Sequence, residues 1–261
     1  ERLARTRART RQGEQPPGLF RQKDGFPAAY PRGCLEYRRA LGPDGSYGQW
    51  LRDLPIAVKV GRSVFMHAGA PPDTTDSLEA VNARAKAEIA RADRFVSRLV
   101  SAGLAESWFR LEDLLGVAGA EVRWVNGLVE TAKANGEAPD LRGVDVALVQ
   151  EAAAFTGLGS WSLLDGDGPL WYRGYATADR AAIEALLSAL LERWNVDRIV
   201  VGHTVNRDFR IHSRLAGRIF LIDTGMLTPV YKGVGSALEF HGTAVQALYR
   251  DGRREDVSPV P

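Results

Sequence analysis

The clearest pattern along the chain is a pair of short, apolar, β-branched runs, Ile199-Val200-Val201 and Ile219-Phe220-Leu221-Ile222, each halted by a small or polar residue. Runs of this kind predict buried strands that deliver side chains to a sheet edge. His203, in Gly202-His203-Thr204, and Asp223, in Asp223-Thr224-Gly225, are therefore expected at neighbouring strand ends, with Gly202 supplying the sharp turn. A third run, Ser63-Val64-Phe65-Met66, ends in the same way at His67-Ala68-Gly69. It follows Ile56 to Val60 across Gly61-Arg62, the spacing of a β-hairpin.

Between these strand-bearing parts the period changes. Leu78, Val81, Ala85, Ala92, Val96 and Leu99 recur at helical spacing behind a candidate cap at Asp76. Further helical patterns follow over 110–115, 121–134 and 144–155, separated by Gly116, Gly119, Gly136 and Pro139. The whole stretch from 75 to 157 reads as a helical insertion whose apolar faces pack on each other and on the sheet, or which caps a site. Ile183, Leu186, Leu187, Leu190, Leu191 and Trp194 then line one face of a helix with Thr177 as candidate cap, feeding straight into the Ile199 strand. That helix-to-strand succession indicates the α/β class. A last hairpin, 237–240 with 244–249, turns at His241-Gly242, while the turn signals crowding residues 1–49 predict an irregular segment.

Composition adds mainly exclusions. At 261 residues, 45% hydrophobic and 25% charged, the chain suits one sizeable core, and the whole is read as a single domain. The arginines at 2, 5, 7, 9 and 11 have no interleaved aromatics, so no nucleic-acid partner is expected. No apolar run reaches the ~18 residues of a membrane span, so no membrane partner is expected and the location is expected to be cytoplasmic. A single cysteine, Cys34, excludes an intrachain disulfide and a thiolate metal cage. The Asp165-Gly166-Asp167-Gly168 run has the wrong spacing for a calcium loop and reads as a turn. Two histidines at strand ends suit a borderline divalent metal, and Arg173 suits an oxyanion such as phosphate, so the residues alone suggest metal-assisted phosphate chemistry.

The same residues carry a family resemblance. His67-Ala68-Gly69 resembles the His-Gly-Gly element, and Gly202-His203-Thr204 the Gly-His-Thr element, of the calcineurin-like metallophosphoesterases. Tyr47-Gly48-Gln49-Trp50-Leu51, Gly168 to Arg173 and Ile222 to Met226 look most like the bacterial and plant Shewanella-like protein phosphatases. The five elements keep the family's order, from about Tyr47 to Tyr249.

The resemblance implies a partial αββα sandwich, mixed sheets flanked by helices. It also implies two divalent ions, manganese, iron or zinc, bridging a hydroxide that attacks phosphorus. His67 and His203 would each ligate a metal, Arg173 would act catalytically on the phosphate, and Tyr172 would flank it in binding substrate. A phosphorylated protein is the favoured substrate, with a diadenosine-tetraphosphatase-like or other small-molecule phosphoesterase, or a catalytically inactive binding paralogue, as alternatives. His212 and His241 match no ligand element, and Asp223 is read as fixing its own loop. The family's upstream Asp-x-His, Gly-Asp-x-x-Asp-Arg-Gly and Gly-Asn-His-Glu motifs do not occur in this sequence. Two histidines cannot hold a binuclear centre, so the chain is expected to be the C-terminal portion of such an enzyme.

Overall fold

The computed structural model describes residues 33–242 and 244–257, and the part of the irregular stretch expected over 1–32 lies outside the described residues. The chain divides into two compact units, one comprising 33–54 with 89–159 of the described residues and the other 55–88 with 160–257.

In the first unit the expectation of irregular chain up to residue 49 is corrected. Cys34–Leu41 (α1) and Ser46–Asp53 (α2) are helices of eight residues each, too short for an apolar period to be recognised. Gly42-Pro43-Asp44-Gly45 is the turn between them. Gly48 lies so near α1 that a Cβ there would meet the Gly42 carbonyl oxygen at 1.8 Å. Arg52 joins the pieces: its fork holds Asp93 at 2.6 and 2.8 Å, and Nη1 donates to the carbonyls of Leu41 and Gly48.

Leu78–Ser101 (α3) begins one residue later than the Asp76 cap implies, because Ser77 Oγ accepts from the Ala80 amide at 3.2 Å. Asp76 pairs with Arg84 instead. The patterns over 110–115 and 121–134 prove to be one helix, Leu111–Ala134 (α4), running through Gly116 and Gly119. Each interior glycine costs about 1 kcal/mol relative to alanine, which the buried face of Leu114, Val117 and Ala118 offsets. Val146–Thr156 (α5) is capped by the Asp145 carboxylate, which accepts from the Leu148 amide at 2.9 Å. Phe155 of α5 packs against Phe95 with ring centroids 4.7 Å apart.

The second unit carries the sheets. Ala57–Val60 (β1) and Ser63–Met66 (β2) form the hairpin. After the short turn Gly174–Thr177 (α6), Arg180–Arg193 (α7) leads into Arg198–Val201 (β3), then His212–Arg214 (β4) and Ile219–Leu221 (β5). The cap of α7 is Asp179, not Thr177, because the chain is still closing α6 at Thr177. The sheet order is β1-β2-β3-β5-β4, with β2, β3 and β5 parallel at the centre and antiparallel strands at both edges. Beyond Thr228–Tyr231 (α8), the strands Ser236–His241 (β6), Ala244–Tyr249 (β7) and Arg254–Asp256 (β8) form an antiparallel second sheet. Its third strand falls in what the sequence presents as a polar tail.

The continuous apolarity of β3 and β5 follows from burial on both faces, as in parallel sheets generally. One face packs Ile199, Val201, Ile219 and Leu221 with Ile183, Leu187, Leu190 and Leu191 of α7. Each such side chain contributes roughly 1.5–3 kcal/mol. The other face packs Val200 and Phe220 on Val245 and Phe240 of the second sheet. The chain is therefore a mixed α/β protein with helix, sheet and sheet layered in this unit. The outward positions of β6, Ala237, Glu239 and His241, are exposed, so the described residues build three of the four expected layers. No helix among them is long and apolar enough to cross a membrane.

Because Leu187 is fully buried between α7 and the sheet, Leu187→Ala should lower the unfolding free energy by about 2–5 kcal/mol in urea titrations. A loss below about 1 kcal/mol would show that α7 does not form this core.

Candidate functional site

Three parallel strands end on the same side of the first sheet, and open α/β sheets bind ligands outside the carboxyl ends of such strands. Register decides what appears there. Met66 pairs with Val201 and Val201 with Leu221, so His67, Gly202-His203 and Asp223 all lie just past the last paired residues. The Gly202 amide donates to the His67 carbonyl at 2.8 Å, extending the ladder by one bond. His67 Nε2 and His203 Nδ1 then face each other at 3.1 Å, with ring centroids 4.9 Å apart. Strand pairing thus makes neighbours of residues 136 positions apart.

The local backbone differs from expectation in one respect. The sharp turn falls on His203, at φ +63°, and not on Gly202. A Cβ at Gly202 would make only ordinary contacts, whereas a left-handed non-glycine residue costs of order 1–3 kcal/mol and persists only where its surroundings hold it. Around His67 the demand for glycine lies at Gly69, whose φ is +121° and whose added Cβ would sit 2.6 Å from the Tyr175 ring. Ala68 has no such demand, and its amide donates to the Pro169 carbonyl at 3.1 Å.

The segment 168–173 supplies the remaining walls. Arg173 Nη1 donates to the His203 carbonyl at 3.4 Å and to Thr204 Oγ1 at 3.3 Å, which leaves its other N–H groups unspent by these bonds. Tyr172 turns the other way, edge-on to the buried Tyr175 at 5.1 Å and packed on the core. Burial first, then Asp167 and Asp73, raises the Tyr172 phenol above its ordinary value. The ring that meets His203 is that of Trp171, edge-on at 5.4 Å. The sequence pattern assigns Trp171 no role, because residues 168–171 form a turn in which no alternation sorts the side chains. Asp223 Oδ1 accepts from the Gly225 amide at 2.9 Å, closing its own loop. His212 is held by Asp208 at 2.9 Å, and both His212 and His241 are exposed. A cavity of about 410 Å³ opens beside this end of the sheet, its lining including Ala70, Pro71, Asp76, Arg84, Asp167 and Pro169.

The two imidazole nitrogens can share a proton or an ion. Their 3.1 Å separation is close to the roughly 3.3 Å between two nitrogens on one tetrahedral ion with bonds of about 2.0–2.1 Å. The donor set thus fits two positions of a single ion. No group of three or more His, Cys, Asp or Glu that could hold a metal occurs among the described residues, so these residues do not accommodate a two-ion centre. His203 is held below the ordinary histidine value, by burial first, then by the Arg173 and His67 charges, with Asp223 opposing. Its Nε2 is buried without a hydrogen-bond partner among the described residues.

No family model matches the sequence. Over 89 residues the chain is 39% identical to an uncharacterized protein of Schizosaccharomyces pombe, a match covering 32% of this chain and 26% of that protein. In structure it is similar to the cold-active protein-tyrosine phosphatase of a psychrophilic Shewanella species, at 24% identity and a TM-score of 0.42, covering 84% of this chain and 47% of that one. A further crystal structure of a cold-active protein tyrosine phosphatase is 22% identical with a TM-score of 0.41, covering 85% of this chain and 55% of that one. The chain thus spans about a quarter of the curated relative and about half of these solved structures.

The depressed His203 pKa sets a sign for pH dependence. Folding favours the neutral ring, so its contribution is present above the ordinary value of 6.5 and is lost as pH falls from there towards the lower folded value. Urea midpoints of the unaltered chain should therefore fall relative to His203→Gln as pH drops below 6.5; parallel pH profiles would contradict the assignment.

Proposed function

We propose that this chain contributes the histidine-bearing half of the reaction centre of a phosphoester hydrolase, with a phosphorylated protein as the favoured substrate. The observation that carries the reading is the meeting of His67 and His203 at 3.1 Å past the ends of two parallel strands, with Arg173 against the same turn. Each part has a defined task. The two imidazoles offer a pair of neutral nitrogen donors to one divalent ion, manganese, iron or zinc, and His203 stays unprotonated to a lower pH than an ordinary histidine. Such an ion, when bound, supplies a polarised phosphate and an acidified water. Completing its coordination, and adding a second ion, takes ligands from outside the described residues.

Arg173 lies where the cleft opens, its Nη1 fixed to the His203 turn and the rest of its guanidinium available to phosphate oxygens. That dual use keeps a positive charge beside the imidazoles. Tyr172, packed on Tyr175, supports the segment from beneath, and in this reading it acts on substrate through Arg173.

Manganese titrated into the full chain should bind, and His67→Ala or His203→Ala should weaken binding at least about tenfold, as read by calorimetry. Turnover of a phosphopeptide in preference to a diadenosine polyphosphate supports the protein-phosphatase reading, and the reverse preference supports a small-molecule hydrolase. Metal affinity unchanged by both alanine variants would overturn the reading.

A further inference from the structure

Trp171 has a task that neither metal binding nor phosphate binding assigns. Trp171 is 44% exposed and yet makes specific contacts at both ends of its indole. Its edge-on partner is the His203 imidazole, at 5.4 Å and an interplanar angle of 86°. Its indole Nε1 donates to the Leu163 carbonyl at 3.0 Å. The position of Leu163 is fixed in turn by Glu88, whose carboxylate accepts from the Leu163 amide at 3.0 Å and from the Ser162 amide and hydroxyl at 2.8 and 2.9 Å. A carboxylate accepting three such bonds is a strong local anchor. The indole is thus held at one end by the Glu88-anchored loop and presents its face or edge to His203 at the other.

His203 needs such a brace. A left-handed histidine is strained, and an imidazole can rotate about its side-chain bonds to direct either nitrogen, or neither, at His67. Arg173 fixes the carbonyl of His203, but no contact of Arg173 fixes the ring. His67 fixes one nitrogen only if the ring is already turned towards it.

We infer that Trp171 is a positioning residue: braced through Leu163 and Glu88, it sets the rotation of the His203 imidazole so that Nδ1 faces His67. The inference rests on the reading of the two histidines as a reaction centre, but its test does not require turnover. Four histidines make the side-chain nitrogen spectrum of the full chain assignable by single substitutions.

In the unaltered chain, proton NOEs should link the Trp171 and His203 rings, and their absence overturns the inference without any variant. Trp171→Leu should move the His203 Nδ1 resonance towards that of a solvent-exchanging imidazole and leave His212 and His241 unchanged. Trp171→Phe, which keeps a ring edge, should restore most of the shift. If Trp171→Leu does not fold, Trp171→Met takes its place, and if neither folds the ring NOEs decide. His203 shifts unmoved in a folded leucine or methionine variant overturn the inference. His203 shifts that respond as expected in a chain with no metal affinity at the dyad would keep the positioning role and remove the hydrolase reading instead.

Discussion

The parallel pairing of β2 with β3 is the constraint on which the rest depends. Each strand is four residues long, and both faces of the pair are buried, by α7 on one side and by the second sheet on the other. A register slip of one residue would send every side chain to the opposite face. For β2 it would place Val64 and Met66 against the wrong layer, at roughly 1.5–3 kcal/mol each. The core therefore specifies the register, and the register specifies that His67 and His203 are neighbours. In this sense the chemistry of the cleft is set by apolar residues that never reach it.

Beyond the strand ends, the chain holds the imidazoles with polar contacts from several directions. The Gly202 amide and the His67 carbonyl continue the ladder, the Asn206 amide and the Asp223 carbonyl tie the turn to β5, and Asp223 folds its own loop through Gly225. The segment 168–173 touches both histidine turns, at Ala68 through Pro169 and at His203 through Arg173 and Trp171. A strained His203 is tolerable because these bonds over-determine it. The same crowding explains its depressed pKa: burial first, then the Arg173 guanidinium and the adjoining His67 ring, disfavour an added proton, with Asp223 opposing.

Much of this is legible in the amino-acid sequence. The abrupt ends of Ser63-Val64-Phe65-Met66 and Ile199-Val200-Val201 mark the two histidines, because a buried strand that stops at a polar residue must deliver it to an edge. The helix over 180–193 and the two hairpins are equally plain from their periods. The failures have physical causes. β4 and β8, at three residues, show no alternation to detect, and α1 and α2 complete barely two turns. Gly116 and Gly119 resemble breaks but are absorbed into α4 by tertiary burial on either side. The turn at His203 cannot be read from composition, since glycine is the usual left-handed residue and stands next to it. That Trp171 and not Tyr172 meets His203 is not legible either, because the turn at 168–171 sets which aromatic packs on Tyr175.

Copper is the sharpest probe of the convergence itself, since it binds paired imidazoles more tightly than the other divalent first-row metals and its paramagnetism counts coordinated nitrogens. Electron spin echo measurements on the full chain loaded with one equivalent of Cu(II) should report two imidazoles on a single ion, falling to one when either His67 or His203 is replaced by alanine. A single-imidazole signal in the unaltered chain, indifferent to both replacements, would contradict the account.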